Sequence, residues 1–157
     1  MKKYYLAYGS NLNIEQMRYR CPTAKVVGTA IIKDYELLFK GSKTGSYLTI
    51  EKCDGEYVPV GVWEVTPQDE LNLDRYEGYP SFYYKTEMTV SLKLPSGKYR
   101  KINAFVYIMH EDRPLGVPSP YYVRTCMNGY FAFGFKREHL IKAIEKSKGE
   151  STDEGNY

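Results

Sequence analysis

The chain has 157 residues, 43% of them apolar and 26% charged, which suits one compact domain whose core needs no metal or disulfide staple. Three cysteines, Cys21, Cys53 and Cys126, are too scattered and odd in number for a disulfide framework or a zinc knuckle, so reduced thiols in the cytoplasm are expected. A net charge of +3 is too mild to demand a polyanion and no apolar run approaches a membrane span, so neither nucleic acid nor membrane is an expected partner.

In chain order, residues 3–8 read as a short buried strand; the apolar run after Lys2 and Lys3 is too short for the core of a signal peptide and stops at Gly9-Ser10-Asn11. Ser10 or Asn11 is placed to cap a helix in which Ile14, Met17 and Cys21 recur at helical spacing before Pro22 ends it. Strand-like runs follow at 24–32, 35–39, 47–51 and 57–65, separated by Gly, Asp, Ser and Lys turns. In TPQDELNLDRYEG, Thr66 is an N-cap, Pro67 sits at the first helical position and Asp69 at the third, predicting a helix from 67 to about 75 with Gly78 near its exit. Thr86, Met88, Val90, Leu92 and Leu94 alternate with polar residues, the mark of a strand with one wet face, and the turn 95–98 returns it as a partner strand over 99–109. Ser119 and Pro120 repeat the capping device for a helix through roughly Gly129, and 136–147 reads as a last amphipathic helix. Residues 1–146 form the expected domain, and 147–157, polar and without apolar periodicity, read as a flexible tail. Strands dominate and strict strand-helix alternation is missing, which predicts an α+β domain built on a mixed, strongly curved sheet or small β-barrel flanked by a few helices.

Two stretches carry potential chemistry. A strand that ends in Gly9-Ser10-Asn11 and turns into a helix exposes backbone N–H groups where the helix dipole favours negative charge, so the loop is either an anion cradle or an ordinary well-capped turn. It lacks the spacings of nucleotide-phosphate loops. Glu77 falls just past the predicted helix among Tyr76, Gly78, Tyr79 and Pro80. Partial desolvation there would raise its pKa and make it a usable proton shuttle; the plainer alternative is a surface acid paired with Arg75 or a lysine. Of Tyr121 and Tyr122, opening the later helix, one can turn its hydroxyl into a pocket. His110 and His139 are not spaced as metal ligands, and Cys126 has no paired histidine, so neither a metal site nor a catalytic thiol is expected. The seventeen tyrosines suit pocket walls and half-wet surfaces.

Tyr8-Gly9-Ser10-Asn11-Leu12, then Leu73-Asp74-Arg75-Tyr76-Glu77-Gly78, then Pro118-Ser119 followed by Tyr122 and Gly129, resemble the gamma-glutamylcyclotransferase family and its wider AIG2-like group. VGTAIIKDYELLF at 27–39 and VGVWEVT at 60–66 resemble it in place and order, so the likeness spans roughly residues 4–145. The resemblance implies a small mixed β-barrel, a substrate-binding loop formed by Tyr8, Gly9, Ser10, Asn11 and Leu12, Glu77 as the acid-base, and Tyr122 lining the site. It also implies a cofactor- and metal-free conversion of a small γ-glutamyl amine or peptide to 5-oxoproline and a free amine. The aromatic run Tyr130-Phe131-Ala132-Phe133 and its counterpart at 79–84 depart from the pattern and bear on the choice of leaving amine. A different amide chemistry on the same scaffold, a non-catalytic binding domain and an RNA-binding module using tyrosine platforms are the alternatives. The sequence leaves the oligomeric state open, a homodimer included.

Overall fold

The computed structural model describes residues 2–42 and 45–155, and side chains from 2 to 149 except Ser42. Five strands close into a barrel in the order β1-β3-β2-β4-β5, where β1 is Lys3–Ala7, β2 Lys25–Ser42, β3 Gly45–Val65, β4 Tyr83–Lys93 and β5 Tyr99–Met109. All pairings are antiparallel except β1 with β5, which run parallel at Tyr5 and Phe105, so the sheet is mixed as expected. Four helices surround it: α1 Ile14–Arg20, α2 Pro67–Glu77, α3 Pro120–Phe133 and α4 Glu138–Gly155.

The separate runs at 24–32 and 35–39 belong to one long strand. Asp34, at a φ of 62°, marks a register shift between Lys33 and Tyr35, and the chain bends there without leaving the ladder to β3. The runs at 47–51 and 57–65 likewise merge into β3. β4 keeps the predicted alternation, with Val90 and Leu92 buried and Thr89, Ser91 and Lys93 exposed. Leu6, Phe39, Ile50, Val58, Val60, Val62 and Val106 fill the barrel.

Several helix boundaries differ from the sequence reading. Asn13, not Ser10 or Asn11, caps α1 by accepting from the Gln16 N–H, because Ser10–Leu12 is itself a turn of 3-10 helix. α3 runs past Gly129 to Phe133, where Gly134 in the left-handed region ends it. α4 starts at Glu138 and continues beyond 147 to Gly155, with Ser147 buried and its hydroxyl donating to the Ile144 carbonyl. No helix among the described residues is long and apolar enough to cross a membrane.

Candidate active site

The loop after β1 is seated by two glycines. A Cβ on Gly129 of α3 would lie 2.6 Å from the Leu12 Cβ and 2.7 Å from the Leu12 carbonyl carbon, and one on Gly61 of β3 would lie 2.8 Å from the Leu12 side chain. Leu12 is therefore an anchor: fully buried, with its N–H donating to the Gly9 carbonyl at 3.0 Å, it does not face the cavity that the rest of the loop lines. The Trp63 indole N–H donates to the Asn11 carbonyl at 3.1 Å and the Asn11 side-chain amide to the Tyr5 hydroxyl at 2.9 Å. The N–H groups of Gly9, Ser10 and Asn11 have no acceptor among the described residues.

Glu77 arrives on α2. The predicted capping box forms, Thr66 accepting from the Asp69 N–H and Asp69 from the Thr66 N–H. The helix is two residues longer than the cap alone suggests, because Gly78 takes the left-handed conformation (φ 64°, ψ 38°) that closes the C-terminus directly behind Glu77. Glu77 is thus the last helical residue rather than a residue beyond the helix. Lys85 of β4 clamps the same helix face, pairing with Glu70 at 2.6 Å and Asp74 at 2.9 Å while lying over the Tyr79 ring. Asp74 also accepts from the Tyr107 hydroxyl at 2.6 Å. The Glu77 carboxyl, one turn further on, makes no hydrogen bond or ion pair with another described residue.

Tyr8, Gly9, Ser10, Asn11, Glu77 and Tyr122 meet around one narrow cavity of about 20 Å³, completed by Tyr5, Leu48, Tyr83 and Tyr107. A space of that size holds about one water molecule. Burial pushes the Glu77 carboxyl up to about 8, with the Arg20 guanidinium pulling it partly back. Its place at the negative end of α2 works in the same direction as burial. Burial, the largest cause at each, raises the hydroxyl pKa values of Tyr5, Tyr8, Tyr83, Tyr107 and Tyr122, with the Glu77 charge a lesser contributor in the same direction, so these are neutral donors and acceptors. Tyr8 donates to the Tyr107 carbonyl at 2.6 Å and Tyr83 to the Leu48 carbonyl at 2.8 Å, while the Tyr122 hydroxyl accepts from the Leu48 N–H at 3.1 Å. Tyr5 accepts from Asn11 and keeps its own proton for a ligand. Gly9 leaves little room for a side chain: a Cβ there would sit 3.3 Å from the Tyr122 hydroxyl and 3.4 Å from the Leu48 side chain, so Tyr122 would have to give way slightly.

Tyr76 and Arg20 wall the cavity off from an outer groove along α1 and α3. The Tyr76 hydroxyl lies 2.9 Å from the Ser10 Oγ, and the Arg20 guanidinium stacks 3.4 Å over the Tyr76 ring while donating to Asn11 Oδ1. The sequence reading passed over Tyr5, Arg20, Leu48 and Tyr107, and reached Tyr83 only as part of the aromatic run at 79–84. Tyr5 shares a strand with the loop and could have been suspected; nothing local marks the others, which long-range pairing alone brings in. Burial pushes the Cys126 thiol up to about 12, far from the range of a catalytic thiolate.

A closed five-stranded mixed barrel flanked by helices, with a carboxyl of raised pKa and a turn of free amides lining one cavity, defines the α+β class of this protein. The family model described as gamma-glutamyl cyclotransferase, AIG2-like, matches residues 5–124, and the chain belongs to that family. The chain is similar to the mouse gamma-glutamylcyclotransferase, 31% identical over 163 aligned positions that cover 96% of this chain and 84% of the relative. The human gamma-glutamylcyclotransferase is 32% identical over 152 positions, 90% of this chain and 78% of the relative. A solved structure of a gamma-glutamyl cyclotransferase superposes with a TM-score of 0.73 at 28% identity, covering 94% of this chain and 87% of the other.

Proposed function

We propose that this chain is a gamma-glutamylcyclotransferase that closes the γ-glutamyl part of a small amide or peptide to 5-oxoproline and releases the amine, with Glu77 moving the protons. The observation that carries the reading is Glu77 itself: a carboxyl without a protein partner, raised to about 8, in the wall of a cavity whose opposite side offers unused backbone donors. An acid poised there serves both halves of the reaction near neutrality. The ionised carboxylate takes a proton from the substrate's α-ammonium group. The freed amine attacks its own γ-carbonyl carbon, forming the ring C–N bond and a tetrahedral oxyanion. Glu77, now protonated, gives its proton to the departing nitrogen as the old C–N bond breaks; the restored carboxylate then takes the second proton from the ring nitrogen, leaving the neutral lactam, and passes it to the released amine, which departs as an ammonium ion.

Because the attack is intramolecular, holding the glutamyl chain folded supplies much of the acceleration, up to about 7–11 kcal/mol where alignment is good. Gly9, Ser10 and Asn11 would provide that grip through their N–H groups, on the substrate α-carboxylate or on the developing oxyanion. The Tyr5 hydroxyl adds a neutral donor, and Tyr122 fixes the wall against Gly9. A cavity with room for about one water must widen to admit a glutamyl group, and the Tyr76 ring, held by Ser10 and Arg20 at the border of the outer groove, is the element that would swing.

The test is product analysis on a panel of γ-glutamyl amines, γ-glutamyl dipeptides and glutathione. Formation of 5-oxoproline with stoichiometric amine supports cyclisation. Free glutamate in its place would mean hydrolysis on the same scaffold, and no turnover of any member would leave a binding domain.

A further inference from the structure

The barrel is closed unevenly. β2 and β4 join through a single residue pair, Thr29 with Lys93, although β2 pairs with β3, and β4 with β5, along most of their lengths. At that pair the strands are pressed together: a Cβ on Gly28 would lie 2.1 Å from the Lys93 carbonyl oxygen. Beyond it no further pair joins the two facing edges. The seam opens into a groove of about 980 Å³ on the outside of the barrel, lined by residues 29–33 of β2 and 88–91 of β4.

The groove has an apolar side and a basic rim. Ile31 and Tyr57 on it are 48% and 46% exposed, and Tyr99 64%. Lys33, Lys93, Lys101 and Lys136 line it, no aspartate or glutamate among the described residues does, and none of the four lysines forms an ion pair with a described residue. Lysines on a strand edge repel a like-charged edge, so they disfavour a second copy of this chain and favour a chain of opposite charge.

We propose that this seam is a docking site for an extended acidic peptide segment of a partner protein, which adds to the open strand edges and sets its carboxylates against the four lysines. Strand addition supplies the backbone hydrogen bonds that β2 and β4 do not make to each other. The period of two along an extended peptide directs alternate side chains to the apolar side and to the basic rim. The seam contains none of the cavity residues, so occupancy is separable from catalysis.

The experiment uses the full chain and a fluorescent peptide alternating glutamate and valine, followed by anisotropy. Three controls run beside it: the same peptide N-methylated at alternate residues, a lysine-valine peptide, and the protein carrying Lys33→Glu with Lys93→Glu. The expected result is saturable binding that falls with added salt and weakens about tenfold or more on N-methylation and on charge reversal, with 5-oxoproline formation unchanged in the variant. Lys33→Gln with Lys93→Gln, a milder change at exposed positions, should give an intermediate loss. Absence of saturable binding would overturn the proposal, as would equal affinity for the N-methylated or lysine-valine peptide. So would concentration-dependent dimerisation that the charge reversal alters, since that would assign the face to a second copy.

Discussion

Glu77→Gln separates the chemistry from the fold, and the raised carboxyl sets the size of both effects. A group with a pKa of about 8 is roughly one-tenth ionised at pH 7, so kcat/KM should climb with pH and level off above about 8. The substituted amide keeps the shape and loses the basic lone pair, and turnover should drop about 10²- to 10⁴-fold. Stability should move the other way. The folded state holds this proton up to about pH 8 while the unfolded chain releases it near 4.5, so the parent loses stability as pH rises through that window. Over the whole window the loss is at most roughly 5 kcal/mol, and less where solvent reaches the half-buried residue. The amide cannot ionise and escapes it. Thermal melts of the two proteins should therefore coincide near pH 4 and diverge by several degrees by pH 9, with the variant higher, at about 2–4 °C per kcal/mol for a chain of this size. A Glu77→Gln variant that still makes 5-oxoproline at near the parental rate would refute the mechanism. Melting curves that stay together from pH 4 to 9 would refute the buried, raised carboxyl.

Arg20→Gln removes the cation that lowers the Glu77 pKa, so the rising limb of the pH-rate profile should move to higher pH; an unmoved limb would show that the guanidinium does not reach the carboxyl. Lys85→Met removes the cation shared by Glu70 and Asp74 on α2, leaving Glu70 with Lys3 at 3.2 Å and Asp74 with the Tyr107 hydroxyl, and should cost about 1–3 kcal/mol in urea unfolding, discounted for partial exposure, with Lys85→Arg recovering much of it. Gly129→Ala drives a methyl into the backbone of the Leu12 turn; a loss of about 1–3 kcal/mol is expected together with a fall in kcat, because the loop must shift. The domain reading predicts that truncation after Lys148 leaves unfolding free energy within about 0.5 kcal/mol of the full chain, measured by denaturant titration.

Much of the fold was legible because its signals are local. The capping box at Thr66 and Asp69, the Ser119-Pro120 start of α3 and the alternation along β4 each follow from residues within a turn or a few strand positions of one another. Motif order likewise singled out the Tyr8–Asn11 turn, Glu77 and Tyr122, which lie 45 to 114 positions apart in some pairings yet line one cavity. Element ends were harder to read. Whether 24–32 and 35–39 are two strands or one depends on the β3 ladder that carries the chain across Asp34, and that ladder is a long-range pairing.

The residues themselves determined that Glu77 stands close behind a capped helix start in aromatic company and that a Gly-Ser-Asn turn follows a buried strand. Only the tertiary structure decided that these two are neighbours, that Lys85 holds Asp74 while leaving the Glu77 carboxyl unpaired, and that Leu12 is a buried anchor outside the cavity lining. It also decided that Tyr5, Tyr83 and Tyr107 wall the site and that Arg20 leans on its edge. The physical reason is that a pKa depends on what surrounds a carboxyl in space. Burial raises that of Glu77, and of the side chains around its cavity those from β1, β3, β5 and α3 lie far from residue 77 in the sequence.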